Sequence, residues 1–159
     1  MLNLNINLTS KKWLIVGGGK VATRRVKKIL DEMGEVKLVS PKITTTLERL
    51  EEKNKNLKII KRKFRKSDIE KQDFILACTD DKKINKDIAA YGKSKKIFVC
   101  NASDKEDNDF FFTSTVNVNK DIKINFSTNG KNASFTKLIR MTLEKDLKKR
   151  IIELYKKVK

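Results

Sequence analysis

The sequence predicts an α/β fold built on a parallel sheet, and three observations carry that prediction. Short apolar runs alternate with helix-patterned stretches as far as residue 101. The first run, Leu14-Ile15-Val16, opens directly into Gly17-Gly18-Gly19-Lys20-Val21-Ala22. After residue 108 the alternation stops, and two strand-like runs follow one another with no helix between them. Together they describe a Rossmann-like domain over residues 1–108, followed by a small α+β region with a C-terminal helix over 109–159.

Leu2, Leu4, Ile6 and Leu8 alternate with polar residues, which predicts an extended segment with one face packed on the domain. The glycine turn comes next, and each position has a task. Gly17 permits the tight turn, Gly19 leaves room for a pyrophosphate, and Ala22 is small enough for close helix-on-strand packing. The helix runs through Leu30 and is closed by Gly34 at its C-cap. Val36-Lys37-Leu38-Val39 is the second strand, ended by Ser40-Pro41, since proline donates nothing to a ladder. A helix over 44–55 precedes the third strand, Leu57-Lys58-Ile59-Ile60, and the basic stretch from Lys61 to Lys66 reads as a solvated connection.

Asp73-Phe74-Ile75-Leu76-Ala77-Cys78 is continuously apolar after its first residue, as in a parallel strand covered on both faces. Asp80 or Asp81 can cap the helix that runs to Tyr91 and Gly92, and Lys96 to Cys100 makes a fifth strand. The runs from Phe110 to Val116 and from Ile122 to Phe126 pair with each other or with a second chain. Ser127 to Gly130 turns into a long amphipathic helix from Ala133 to Lys157, striped by Phe135, Leu138, Ile139, Leu143, Leu147, Ile151 and Leu154. That stripe requires cover, either from a second copy of the chain or from the sheet.

Composition narrows the chemistry. The chain of 159 residues contains no histidine, which removes the commonest general base and every Ser-His or Cys-His nucleophile arrangement. Cys78 and Cys100 are too far apart in sequence for a zinc knuckle or a CxxC redox pair, and are expected to be buried thiols with no metal role. No run reaches membrane-spanning length and no signal-peptide pattern is present, so the expected location is cytoplasmic. Lysine and arginine total 38 against 20 acidic residues, a formal charge of +18 that calls for an anionic partner or else is a basic surface tolerated by the cell. Nucleic acid is not the expected one, because the basic residues are spread along the chain rather than gathered with aromatics.

Ligands of an open parallel sheet bind beyond the carboxyl ends of its strands. Those positions hold Gly17 to Val21, Ser40 to Ile43, Thr79 to Asp81 and Asn101 to Asp104. The end of the second strand lacks the acid that usually holds the ribose hydroxyls of NAD, and Lys42 there would tolerate a 2′-phosphate. Asp104, in the loop after an apolar strand, is the candidate catalytic carboxylate. A non-enzymatic dinucleotide-sensing module would share the fold without needing Asn101 to Asp104.

With these residues assembled, the chain resembles the N-terminal family of siroheme synthases, the NAD-dependent precorrin-2 dehydrogenases. The resemblance rests on Leu14 to Ala22 with Arg24 and Lys27, on Val39-Ser40-Pro41, and on Ala77 to Asp81 with Asn85. It continues through Asn101 to Asp104, Phe110 to Ser114, and Ser127 to Lys131 leading into Leu138-Ile139-Arg140. It implies that residues 109–159 form a small α+β dimerisation region with a C-terminal helix, joined in an intertwined homodimer, and it implies NAD as hydride acceptor. The coenzyme would be held by Gly17, Gly18, Gly19, Lys20 and Val21, by Ser40, Pro41, Lys42 and Ile43, and by Thr79 and Asp80 on the nicotinamide side. The substrate would be an octacarboxylate tetrapyrrole, contacted by Asn101, Ser114 and Lys131, with Asp104 as catalytic residue. Some members also insert iron into sirohydrochlorin. Family members commonly carry a serine where Asn132 stands, so modification at that position is not expected here.

Overall fold

The computed structural model describes residues 4–119, 122–128 and 132–158. Leu2, the turn residues Asn129 and Gly130, Lys131 and the side chain of Leu147 lie outside the described residues. The chain divides between residues 110 and 111 into two compact units.

In the first unit, five strands form one parallel sheet. They are β1 (Lys12–Val16), β2 (Glu35–Val39), β3 (Leu57–Ile60), β4 (Phe74–Ala77) and β5 (Phe98–Asn101). Their spatial order is β3-β2-β1-β4-β5, so the chain winds outward from β1 in one direction and then returns to wind the other way. The register pairs Val16 with Val39 on one side and with Ala77 on the other, which aligns the carboxyl ends of the three central strands. Every residue of β4 is buried, as its unbroken apolar run requires. Leu14, Val16, Ile75, Val99 and Ile88 anchor one core cluster. At the opposite end of the strands Trp13 stacks on Phe74 at 4.5 Å, and Phe110 meets both rings edge-on at 5.7 Å. Phe110 is thus a half-buried member of this aromatic cluster, and not part of a strand.

Among the described residues of this unit are three α-helices, α1 (Lys20–Asp31), α2 (Thr45–Lys53) and α3 (Lys82–Ser94), and a 3-10 turn over Lys66–Ile69. Asp81, rather than Asp80, caps α3, accepting from the N–H groups of Lys83 and Ile84. Gly34 does not occupy the left-handed position after α1, because Met33 does, at φ 61°. The N–H of Met33 donates to the carbonyl of Leu30, and that of Gly34 to the carbonyl of Ile29. This is a Schellman closure one residue earlier than predicted. Gly34 is needed for space, since a Cβ there would meet Ile29 Cγ2 at 2.5 Å. The opening segment also departs from expectation. Leu4 and Ile6 are exposed, so alternation alone did not provide a surface for them to pack on.

In the second unit β6 (Ser114–Asn117) and β7 (Lys123–Phe126) form an antiparallel pair. The terminal helix is unbroken from Ala133 to Val158 but not α-helical throughout. α4 (Ala133–Thr142) and α5 (Lys148–Val158) flank a π-helical turn over Leu143–Leu147. Phe135, Leu138, Met141 and Leu154 are exposed.

Candidate active site

A cavity of about 720 Å³ opens beyond the carboxyl ends of β1, β2 and β4, where the winding of the sheet reverses. Its floor is the glycine turn. Gly17 sits at φ 116°, and a Cβ there would lie 2.4 Å from the Cys78 carbonyl oxygen, so the turn after β1 and the end of β4 touch through backbone alone. Gly18 is equally constrained by the loop after β2, because its Cβ would meet the Lys42 carbonyl oxygen at 2.2 Å. The Thr44 N–H donates to the Gly18 carbonyl, and the Thr23 and Thr44 hydroxyls share a 2.8 Å hydrogen bond. A Cβ at Gly19, by contrast, would meet nothing within 4 Å.

That open space lies at the start of α1, where no side chain caps the helix. Thr44 caps α2, Asp81 caps α3 and Asn132 caps α4. The first turn of α1 carries no acidic residue, so its N–H groups and positive dipole end face the cavity mouth without a competing carboxylate.

The other walls come from three directions. Ser40, Pro41, Lys42 and Ile43 form one, with the Ser40 hydroxyl donating to the Lys42 carbonyl at 2.7 Å. Thr79 and Asp80 form a second, joined by Ile84, Asp87, Ile88 and Tyr91 along one face of α3. Lys63, Phe64 and Lys66 form the third, so the segment expected to be a solvated connection is partly a cavity wall. It is held there by Arg62, which grips the buried Asp68 through two 2.7 Å hydrogen bonds. The same carboxylate accepts from the Arg65 N–H, and the Arg62 pair holds it below the usual carboxylate range.

Asn85 is the residue that sequence reasoning undervalued. It is fully buried, and its side-chain oxygen accepts from both the N–H and the hydroxyl of Thr79, at 2.9 and 2.7 Å. Its amide nitrogen donates to the Thr79 carbonyl and to the Ser103 hydroxyl, which in turn donates to Asn101 Oδ1. A polar chain therefore links the Thr79 wall to the loop after β5. The placement of Asn85, one turn into α3 and facing inward among apolar neighbours, was the available signal.

Asn101 is buried, and its side-chain nitrogen has no hydrogen-bond partner. Asp104 lies in an exposed turn, its Oδ1 accepting from the Glu106 N–H at 3.0 Å. Neither lines the cavity, and Lys20 and Val21 sit at the helix mouth beside it. Ser114 opens β6 in the second unit. Cys78 and Cys100, at the carboxyl ends of β4 and β5, are neutral thiols, pushed up by burial to about 12 and about 11. Arg25 of α1 is near both, its own value lowered by burial to about 10.

A family model described as "Putative NAD(P)-binding" matches residues 4–114. Precorrin-2 dehydrogenase of Bacillus subtilis is 32% identical over 145 residues, covering 91% of this chain and 88% of that protein. Siroheme biosynthesis protein met8 of Schizosaccharomyces pombe is 36% identical over 141 residues, and the chain spans 52% of its length. The solved structure of SirC, a precorrin-2 dehydrogenase, superposes with a TM-score of 0.77 at 27% identity, over 90% of this chain and 69% of that one.

Proposed function

We propose that this chain, which belongs to the precorrin-2 dehydrogenase family, oxidises precorrin-2 to sirohydrochlorin with NAD as the hydride acceptor. The observation that carries this reading is the uncapped start of α1, opening at Gly19 onto a cavity large enough for a dinucleotide. The residues present fit the coenzyme. The bare backbone of Gly17 to Gly19 and the first turn at Lys20 and Val21 would hold the pyrophosphate. Ser40, Pro41, Lys42 and Ile43 would hold the adenosine side, and Thr79 and Asp80 the nicotinamide side. When bound, NAD supplies the two-electron acceptor, and the redox chemistry is its own.

The protein's task is then to orient the macrocycle and to take one proton. Asp104 is the proton acceptor, an exposed carboxylate whose turn is tied through Asn101 and Ser103 to the nicotinamide wall. The substrate carries eight carboxylates, and the net charge of +18 favours its approach. The exposed apolar residues of α4 and α5 support a homodimer.

The test is to mix purified chain with precorrin-2 and NAD and follow both products by absorbance. NADH and sirohydrochlorin should appear in equal amounts. Coenzyme binding without turnover would overturn the enzymatic reading and leave a sensing module. Asp104→Ala should retain NAD binding and lose turnover, and full activity in that variant would remove Asp104 from the mechanism. Adding ferrous iron afterwards decides whether the same chain converts sirohydrochlorin to siroheme.

A further inference from the structure

The three cations on the cavity wall are not distributed evenly, and neither are its acids. In the order β3-β2-β1-β4-β5, the loops that follow β2 and β3 are neighbours at the carboxyl edge of the sheet. Lys42 stands in the first of these loops and Lys63 in the second, and both line the cavity. The lining carboxylates, Asp80 and Asp87, belong to the other side, after β4 and on α3.

In a sheet wound this way the adenosine half of a dinucleotide lies beyond β2, and an acid at the end of β2 does two things. It accepts hydrogen bonds from the ribose hydroxyls, and it repels a phosphate on that ribose. Here β2 ends in Val39 and continues as Ser40-Pro41-Lys42, so neither effect is present. The Ser40 hydroxyl is turned inward to the Lys42 carbonyl. Asp68, the one acid in the segment from Lys61 to Ile69, is engaged by Arg62 and by the Arg65 N–H, and does not offset Lys63. Lys66 is drawn over the Tyr91 ring at 5.3 Å, on the α3 side.

We propose that this cavity takes NADP as well as NAD, with Lys42 and Lys63 forming a subsite for a phosphate monoester on the adenosine ribose. The inference rests on the coenzyme reading above and extends it. A 2′-phosphate brings close to two negative charges, and each charge-assisted contact to it is worth about tenfold or more in affinity.

The experiment compares NAD, NADP and 2′,5′-ADP by calorimetry on the full chain, then repeats the comparison at raised salt. NADP should bind at least as tightly as NAD, and its margin over NAD should shrink as salt screens the lysines. NADP binding more weakly than NAD overturns the proposal while leaving the dehydrogenase intact. Failure of both coenzymes to bind overturns the dehydrogenase reading, and this inference with it. In the double variant Lys42→Gln/Lys63→Gln the NADP-to-NAD affinity ratio should fall at least about tenfold, whatever happens to NAD alone. An unchanged ratio in a variant with a wild-type melting curve overturns the assignment to these two residues.

Discussion

Gly17 shows how a single position can join folding to binding. Its φ of 116° and the Cys78 carbonyl oxygen 2.4 Å from where a Cβ would stand leave no room for any side chain. Gly17→Ala should cost at least about 2 kcal/mol in urea denaturation, and should weaken NAD binding in the surviving folded fraction. Asn85→Ala strips the Thr79 N–H and hydroxyl of their acceptor in a buried place, at a cost of about 1–3 kcal/mol. A positioning role for Asn85 further predicts a raised KM for NAD, and the restored acceptor in Asn85→Asp should recover part of that loss. The two thiols give a pH signature. Their folded values lie above the ordinary 9.0, so the native state keeps protons that the unfolded thiols release, and stability falls as pH rises from about 9 toward 12. The urea midpoint should drop less between about pH 8 and about pH 10.5 in Cys78→Ala than in the unmodified chain. The turn at Gly17 and the close packing of Ala22 were legible because they follow from a local strand-to-helix pattern. The close approaches of Gly17 and Gly18 and the role of Asn85 were not, because their partners, the Cys78 and Lys42 carbonyls and Ser103, are brought in by the folding of distant segments.

At the scale of elements, the beginning of α1 is left open where the proposed function places the coenzyme. It lacks both the cap and the first-turn acid that would steady a helix end. Lys20→Glu should therefore raise stability by about 0.3–1 kcal/mol and weaken NAD binding about tenfold, as read by denaturation and calorimetry on the same preparation. A loss of stability with unchanged affinity would show that the dipole end does not serve the coenzyme. The central strands β1 and β4 were legible from their apolar runs, since burial on both faces removes polar alternation. Local signals failed where backbone geometry overrode residue preference. Met33 takes the left-handed position that glycine would fill more easily, because Gly34 is needed one place later against Ile29. The turn at Leu143–Leu147 escaped notice because the apolar stripe continues through it, and a π-helical turn shifts the face without breaking the pattern.

For the whole molecule, charge and apolar exposure make separate predictions. A chain with a formal charge of +18 acting on an octacarboxylate should show a KM for precorrin-2 that rises steeply with ionic strength, while the KM for NAD changes less. Equal salt responses would locate the attraction elsewhere. The uncovered residues Phe135, Leu138, Met141 and Leu154 predict that the chain elutes as a dimer, and that Leu138→Glu shifts it toward a monomer in sedimentation. Among the described residues no helix is long and apolar enough to cross a membrane. The grip of Arg62 on Asp68 reaches beyond its own loop. It anchors the crossover leaving the outermost strand, and so removes conformational freedom that a docking coenzyme would otherwise have to remove. Release of that clasp by acid, as Asp68 gains a proton below its depressed range, should slow coenzyme capture before it unfolds the sheet.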